Sequence, residues 1–157
     1  MTLLYFQKSL FGFSCHMIIT SRNTDQGLGK EERLSRKKII EAVFESGESI
    51  KTTSFVLLYQ FVEIPGTFPA QVLFSASKKL YKAAHDRNRV RRLMREAYRK
   101  QKWKHYLALE EQQQQAALLF IFTGRQLPDH EYVFGKISEL IKRFIQKIPL
   151  SESNKKS

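Results

Sequence analysis

The sequence predicts an α+β fold: a compact sandwich in which three helices cover a small central mixed β-sheet. Three observations predict it. Apolar residues recur at helical spacing in three separate stretches, and runs of strand length rich in β-formers lie between them. Their order is helix, strands, helix, strand, helix, which suits helices packed on one small sheet. With 157 residues, 42% hydrophobic and 12% aromatic, the chain can bury one domain's core and still carry tails.

Residues 33–46 read as the first helix, with Ile39, Ile40, Val43 and Phe44 apolar, basic Arg36, Lys37 and Lys38 near its start, and Gly47 as its stop. Residues 55–64 (FVLLYQFVEI) form a strand ending at the turn signal Pro65-Gly66. Residues 71–77 read as its returning partner in an antiparallel hairpin. The strongest helix spans residues 85–103, where Val90, Leu93, Met94, Ala97 and Tyr98 make one apolar stripe and Asp86 is the expected N-cap.

Four glutamines at 112–115 end a surface connection, and the apolar run 116–123 (AALLFIFT) suits a sheet interior. A turn at 124–129, broken by Pro128, leads into a last helix over 131–147. Val133, Phe134, Ile137, Leu140, Ile141, Phe144 and Ile148 line its inner face.

The domain is therefore expected over residues 30–150. Residues 1–29 read as a poorly ordered extension, or as the product of a start codon placed too far upstream, with Met17 the later start. Their apolar centre after Lys8 is like a signal peptide, but no clean small-x-small cleavage site follows. Residues 151–157 read as a disordered tail. Cys15 is alone, which excludes a disulfide framework and suits a reducing cytoplasm. No apolar run reaches the roughly 18 residues of a membrane span, so no membrane partner is expected.

Charge narrows the partners. There are 27 Lys and Arg against 15 Asp and Glu, a net charge of +12. Residues 78–104 hold twelve cations and only Asp86 and Glu96 as acids, a local charge of +10 where an even spread would give about +2. Such concentration is the footprint of a nucleic-acid binder. On a helical wheel, Arg87, Arg91, Arg92, Arg95, Arg99 and Lys102 fall within an arc of about 140°, opposite the apolar stripe. A solvated charged face is the ordinary reading of such a row. Against it, Glu96 is the one acid in the helix body, and Arg outnumbers Lys, as bidentate grip on phosphate oxygens favours.

Nothing in the pattern supports catalysis by the chain itself. His16, His85, His105 and His130 are scattered without zinc-ligand spacing, the acids form no obvious pair, and Gly27-Leu28-Gly29 opens no phosphate-cradling loop. No catalytic residue, no metal ligand and no small-molecule substrate are expected.

Arg87-Asn88-Arg89 follows Ser77-Lys78-Lys79 and leads into Val90-Arg91-Arg92-Leu93-Met94-Arg95-Glu96-Ala97-Tyr98-Arg99. This series resembles the protein subunit of bacterial ribonuclease P, whose signature is an Arg-Asn-Arg motif opening a basic helix. The resemblance extends over about residues 30–147, including Arg33-Leu34, Val43-Phe44, Gly47 and Phe55-Val56-Leu57. It implies a left-handed βαβ crossover, where general topology rules favour a right-handed one.

It also implies the function: an RNA-binding subunit that helps a catalytic RNA remove the 5′ leader from precursor tRNA. The partners would be the ribonuclease P RNA and precursor tRNA with its leader. The chemistry would fall to the RNA and to Mg²⁺ held mainly by it. The RNA-contact residues carried over are Lys78, Lys79, Arg87, Asn88, Arg89, Arg91, Arg92, Arg95 and Arg99, with Asn88 either a contact or a brace of the helix start. The resemblance places a leader cleft between the first helix and the sheet, with Lys37, Lys38, Phe44 and Phe55 as candidates. For each Phe a place in the core fits equally well.

Three positions depart from the family pattern. Ile40 stands where many relatives have Phe, Tyr81 where many have Gly, and Thr53 where a basic residue is frequent. The competing functions are a structural RNA binder of ribosomal type and a DNA-binding regulator with the Arg helix in a major groove. The latter usually adds base-reading side chains and a dimer contact, neither evident here. A membrane-anchored basic protein would depend on residues 1–20 alone.

Overall fold

The computed structural model describes residues 27–150. After a 3-10 turn at Lys30–Glu32, the elements are α1 (Lys37–Ser46), β1 (Glu48–Lys51), β2 (Phe55–Phe61), β3 (Ala70–Ala76), α2 (Ala84–Arg99), α3 (Lys102–Glu111), β4 (Ala116–Phe122) and α4 (His130–Ile145). The α+β prediction holds, with four α-helices in place of three among the described residues. Leu28, two residues ahead of Lys30, is part of the core. The readings of residues 1–26 and 151–157 lie outside the described residues.

The strand order is β1-β2-β4-β3, which corrects the expected hairpin. β2 and β3 do not pair. β4 lies between them, antiparallel to β2 and parallel to β3, with all seven of its residues in register with both. The cause is composition: Ala116–Phe122 is apolar on both faces, so it reaches full burial only with a strand on each side. The parallel neighbours are joined by a crossover through α2 and α3.

β1 has no counterpart in the sequence reading. Its four residues are ESIK, and only Ile50 is buried, so it carries almost no period-2 signal. Its pairing with β2 is helped by Tyr59, whose hydroxyl donates to Glu48 Oε2 at 2.7 Å.

The sheet has two unequal faces. Phe55, Leu57, Tyr59, Val72, Phe74, Leu118, Phe120 and Phe122 project to one side and pack on α2, α3 and α4 in the main core. Ala117 and Leu119 project to the other, where Leu34 and Val43 join them; Ile39, Ile40, Leu58, Leu73 and Ile121 are only partly buried there. α1 thus covers part of the second face and leaves the rest half open.

The expected helix over 85–103 is two helices. α2 ends at Arg99, and Gln101 turns inward, its amide donating to Ala97 O at 3.1 Å and to Phe134 O at 3.3 Å. By occupying a carbonyl at the end of α2, Gln101 closes that helix where no Gly or Pro marks a stop. α3 then covers most of what was read as connection. The N-cap also differs: Ala83 holds that position and Asp86 is the third helical residue, still favourable to the helix dipole.

Candidate nucleic-acid interface

The row of cations on α2 divides by what each side chain touches. Val90, Met94, Ala97 and Tyr98 are fully buried, so the stripe is bolted to the core as its period predicts. Arg89, Arg92 and Arg95 are exposed and have no carboxylate partner among the described residues. Burial and the charges of Arg33, Arg91 and Arg92 hold the Arg95 guanidinium below the usual arginine pKa.

Other members of the row are engaged. Arg87 Nη1 donates to Tyr81 O and Lys82 O, both at 2.7 Å, so Arg87 braces the loop that enters α2. Arg91 Nη2 donates to Asn88 Oδ1 at 2.9 Å, and Arg91 Nε to Arg87 O at 3.3 Å. Asn88 therefore helps to orient Arg91 at the helix start. Arg99 forms a two-point pair with Glu96 at 2.6 and 2.9 Å, and Lys100 approaches the same carboxylate at 3.6 Å. Glu96 is accordingly held below the usual carboxylate pKa, chiefly by the Arg99 hydrogen bond.

Lys102 leaves the row altogether. The break at Gln101 turns it toward Glu32, which is 2% exposed, at 2.5 Å. Glu32 Oε1 also accepts from Tyr106 Oη at 2.9 Å, and Oε2 accepts from Gly29 N at 2.7 Å. This buried carboxylate ties the segment before α1 to α3. A wheel drawn through residue 101 could not show it.

Lys78 and Lys79 are exposed in the loop between β3 and α2. That loop is pinned by Tyr81, where a Gly was the expected family residue. Tyr81 is 7% exposed, its ring stacks on Phe122 at 5.8 Å, and its hydroxyl donates to Gly124 O at 3.0 Å.

The cleft candidates separate cleanly. Phe44 on α1 is 56% exposed, and Lys37 and Lys38 are exposed beside the half-open sheet face, Lys37 within 3.7 Å of Glu41. Phe55 takes the core place that the sequence leaves open: it is fully buried on the opposite face, 5.0 Å from the Phe122 ring. Strand alternation sends its neighbour Val56, in register with Ile121, to the open side instead.

The model of the Ribonuclease P family matches residues 28–144. The chain belongs to the ribonuclease P protein family. Among curated relatives, the ribonuclease P protein component of Chlorobium phaeobacteroides is 37% identical over 124 residues, covering 73% of this chain and 85% of the relative. That of Porphyromonas gingivalis is 32% identical over 125 residues, covering 80% and 91%. Two solved structures share the fold. The Staphylococcus aureus RNase P protein superposes with a TM-score of 0.57 at 18% identity, over 72% of this chain and 94% of that one. The Thermotoga maritima RNase P protein gives 0.55 at 21% identity, over 71% and 96%. The family match spans the Arg-Asn-Arg helix and both sheet faces, and it supports neither the ribosomal nor the DNA-binding alternative.

No helix among the described residues is long and apolar enough to cross a membrane. No three His, Cys, Asp or Glu side chains among them converge as a metal site would require.

Proposed function

We propose that this chain is the RNA-binding subunit of a cytoplasmic ribonuclease P ribonucleoprotein that removes the 5′ leader from precursor tRNA. The exposed face of α2 binds the catalytic RNA, and the half-open sheet face beside α1 takes the single-stranded leader. The observation that carries this reading is Arg89, Arg92 and Arg95 standing exposed on a core-anchored helix without carboxylate partners. Unpaired guanidiniums repel one another until an anion arrives, and phosphate oxygens accept their parallel N–H groups.

The chain's part is binding and placement. Mg²⁺ would supply nucleophile activation and leaving-group stabilisation, and in this reading the catalytic RNA holds most of it. Phe44 offers an aromatic face to leader bases without demanding a sequence, and Lys37 and Lys38 follow the backbone.

The test is 5′-leader removal from precursor tRNA by a bacterial ribonuclease P RNA at low Mg²⁺, with and without the protein. Under those conditions phosphate repulsion is poorly screened, so the RNA alone is slow. Strong acceleration that is lost in Arg89→Ala is the expected result. RNA binding without acceleration, repeated with RNAs of related bacteria, would overturn the role in leader removal.

A further inference from the structure

Arg33 lies far in sequence from the Arg-Asn-Arg helix, in the segment ahead of α1, yet the fold carries it to the same surface. Its two neighbours are both fastened. Glu32 on one side holds Lys102 and Tyr106 of α3, and Leu34 N on the other donates to Val72 O at 2.9 Å on the free edge of β3. Arg33 itself forms a parallel bridge with Val72, and β3 packs against α2. One guanidinium nitrogen, Nη2, donates to Leu28 O at 3.3 Å; the residue as a whole is exposed. The backbone on both sides of Arg33 is thus anchored, which restricts where the guanidinium can go.

β3 packs on α2, so this placement sets Arg33 on the side of the fold that carries Arg95. Arg95 lies within the combined field of Arg33, Arg91 and Arg92, and the three α2 residues fall on one face at i, i+1 and i+4. The acids next in sequence to Arg33 and Arg95 are committed elsewhere. Glu96 is paired with Arg99 and Lys100, and Glu32 with Lys102, Tyr106 and Gly29 N. None of the four guanidiniums, from two separate elements, forms an ion pair with a carboxylate among the described residues.

We propose that Arg33, Arg91, Arg92 and Arg95 form one composite phosphate-binding site for the RNA backbone, in which Arg33 is a direct contact and the Glu32–Lys102–Tyr106 junction positions it. The inference rests on the RNA-binding reading above and adds to it a residue outside the motif helix. It also gives the buried junction a purpose besides stability. The junction fastens the segment ahead of α1 at the register where its guanidinium meets those of α2.

The experiment measures binding of the full chain to a bacterial ribonuclease P RNA across a salt series, for wild type, Arg33→Gln, Arg95→Gln and the double variant. Arg33→Gln is expected to weaken binding several-fold and to reduce the slope of log affinity against log salt by about 0.7–0.9 in magnitude, one phosphate contact. Because the two arginines share a site, the double variant should lose less than the product of the single losses. An unchanged affinity and slope in Arg33→Gln, with wild type binding normally, would overturn the composite site and leave the RNA-binding reading intact. Absence of wild-type binding would overturn that reading itself.

A second measurement needs no variant. Phenylglyoxal modification of the wild-type protein should spare Arg33 when the RNA is bound and mark it when the protein is free. Equal labelling in both states would refute the contact, even if Arg33→Gln proved to fold poorly.

Discussion

Tyr98 and His105 meet in the core, Tyr98 Oη lying 2.8 Å from His105 Nε2, and neither residue is exposed. The His105 ring also packs edge-on against Tyr106 at 4.9 Å, and Tyr106 donates to the Glu32 carboxylate. The other ring nitrogen, His105 Nδ1, is buried without a partner. Burial, with a smaller contribution from the charge of Lys102, pushes the His105 pKa down to about 3. In the unfolded chain the ring has its ordinary value of 6.5, so protons favour unfolding. The stability that a neutral His105 permits is complete above pH 6.5 and is lost progressively as pH falls toward 3, at up to about 1.4 kcal/mol per pH unit.

Thermal unfolding as a function of pH isolates this residue. Between pH 6.5 and 5 the wild-type Tm should fall, while His105→Phe should be nearly flat over the same window. Glu96 has the same sign but acts lower, because its ordinary value is 4.5 and its native value lies below that. At pH 7.5 the two proteins should differ by less than about 1.5 kcal/mol, since removal of the unpartnered Nδ1 offsets part of the hydrogen bond lost by Tyr98. A parallel pH dependence in both proteins would show that His105 is not the titrating group.

The ion pair between Glu32 and Lys102 joins residues whose side chains are 2% and 14% exposed. Removing one member of such a pair strands the other, at a typical cost of about 3–5 kcal/mol. Lys102 has a second acceptor in Gly27 O at 2.6 Å, which places Glu32→Gln nearer about 2–3 kcal/mol. Lys102→Met added to Glu32→Gln should recover part of that loss, because the stranded charge is gone. Urea denaturation midpoints of the two single variants and the double variant measure the coupling.

How far the fold was legible follows from where the signal lies. The stripe of α2 and the inner face of α4 were readable because burial there follows the 3.6-residue period, and β4 because its composition is apolar throughout. The strand order was not readable. Pro65-Gly66 signals a change of direction but cannot say which strand comes to lie beside β2, and β4 arrives after two intervening helices. The end of α2 at Arg99 was hidden because Gln101 breaks the helix through contacts to Ala97 and Phe134, the second supplied by a distant element. The site divided along the same line. Charge and wheel found the exposed Arg92 and Arg95. They could not show that Arg87 spends its donors on loop carbonyls or that Arg33 joins the group from outside the helix.

Arg87 and Arg92 should therefore behave differently although both belong to the motif helix. Arg87→Gln removes two bonds to the carbonyls of Tyr81 and Lys82 and should cost about 1–3 kcal/mol of stability. Arg92→Gln should leave the Tm within about 2 °C, since substitutions at exposed positions are usually worth less than 0.5 kcal/mol, and should flatten the salt dependence of RNA binding. Differential scanning calorimetry paired with filter binding separates the two; matching profiles would refute the division of labour.

Tyr81→Phe tests the pinning of the same loop from its other side. The variant keeps the ring stacked on Phe122 and loses the hydrogen bond to Gly124 O, for about 0.5–1.5 kcal/mol. Tyr81→Gly removes both contacts and should be the more destabilised by about 2 kcal/mol or more. If the glycine variant were as stable as wild type, the loop would not depend on this anchor.

Phe44 and Phe55 supply the sharpest contrast, because one residue type at two exposures should give opposite phenotypes. Phe55 is fully buried between Phe122 and Tyr132, and Phe55→Ala should cost about 3–5 kcal/mol through lost burial and the cavity left behind. Phe44 is more than half exposed on α1, so Phe44→Ala should change stability by less than about 1 kcal/mol. If leader bases stack on Phe44, that variant should weaken binding of precursor tRNA by about 1–3 kcal/mol while leaving binding of leaderless tRNA unchanged. Equal losses for both RNAs would move Phe44 out of the leader path, and the half-open face beside α1 would then need another occupant.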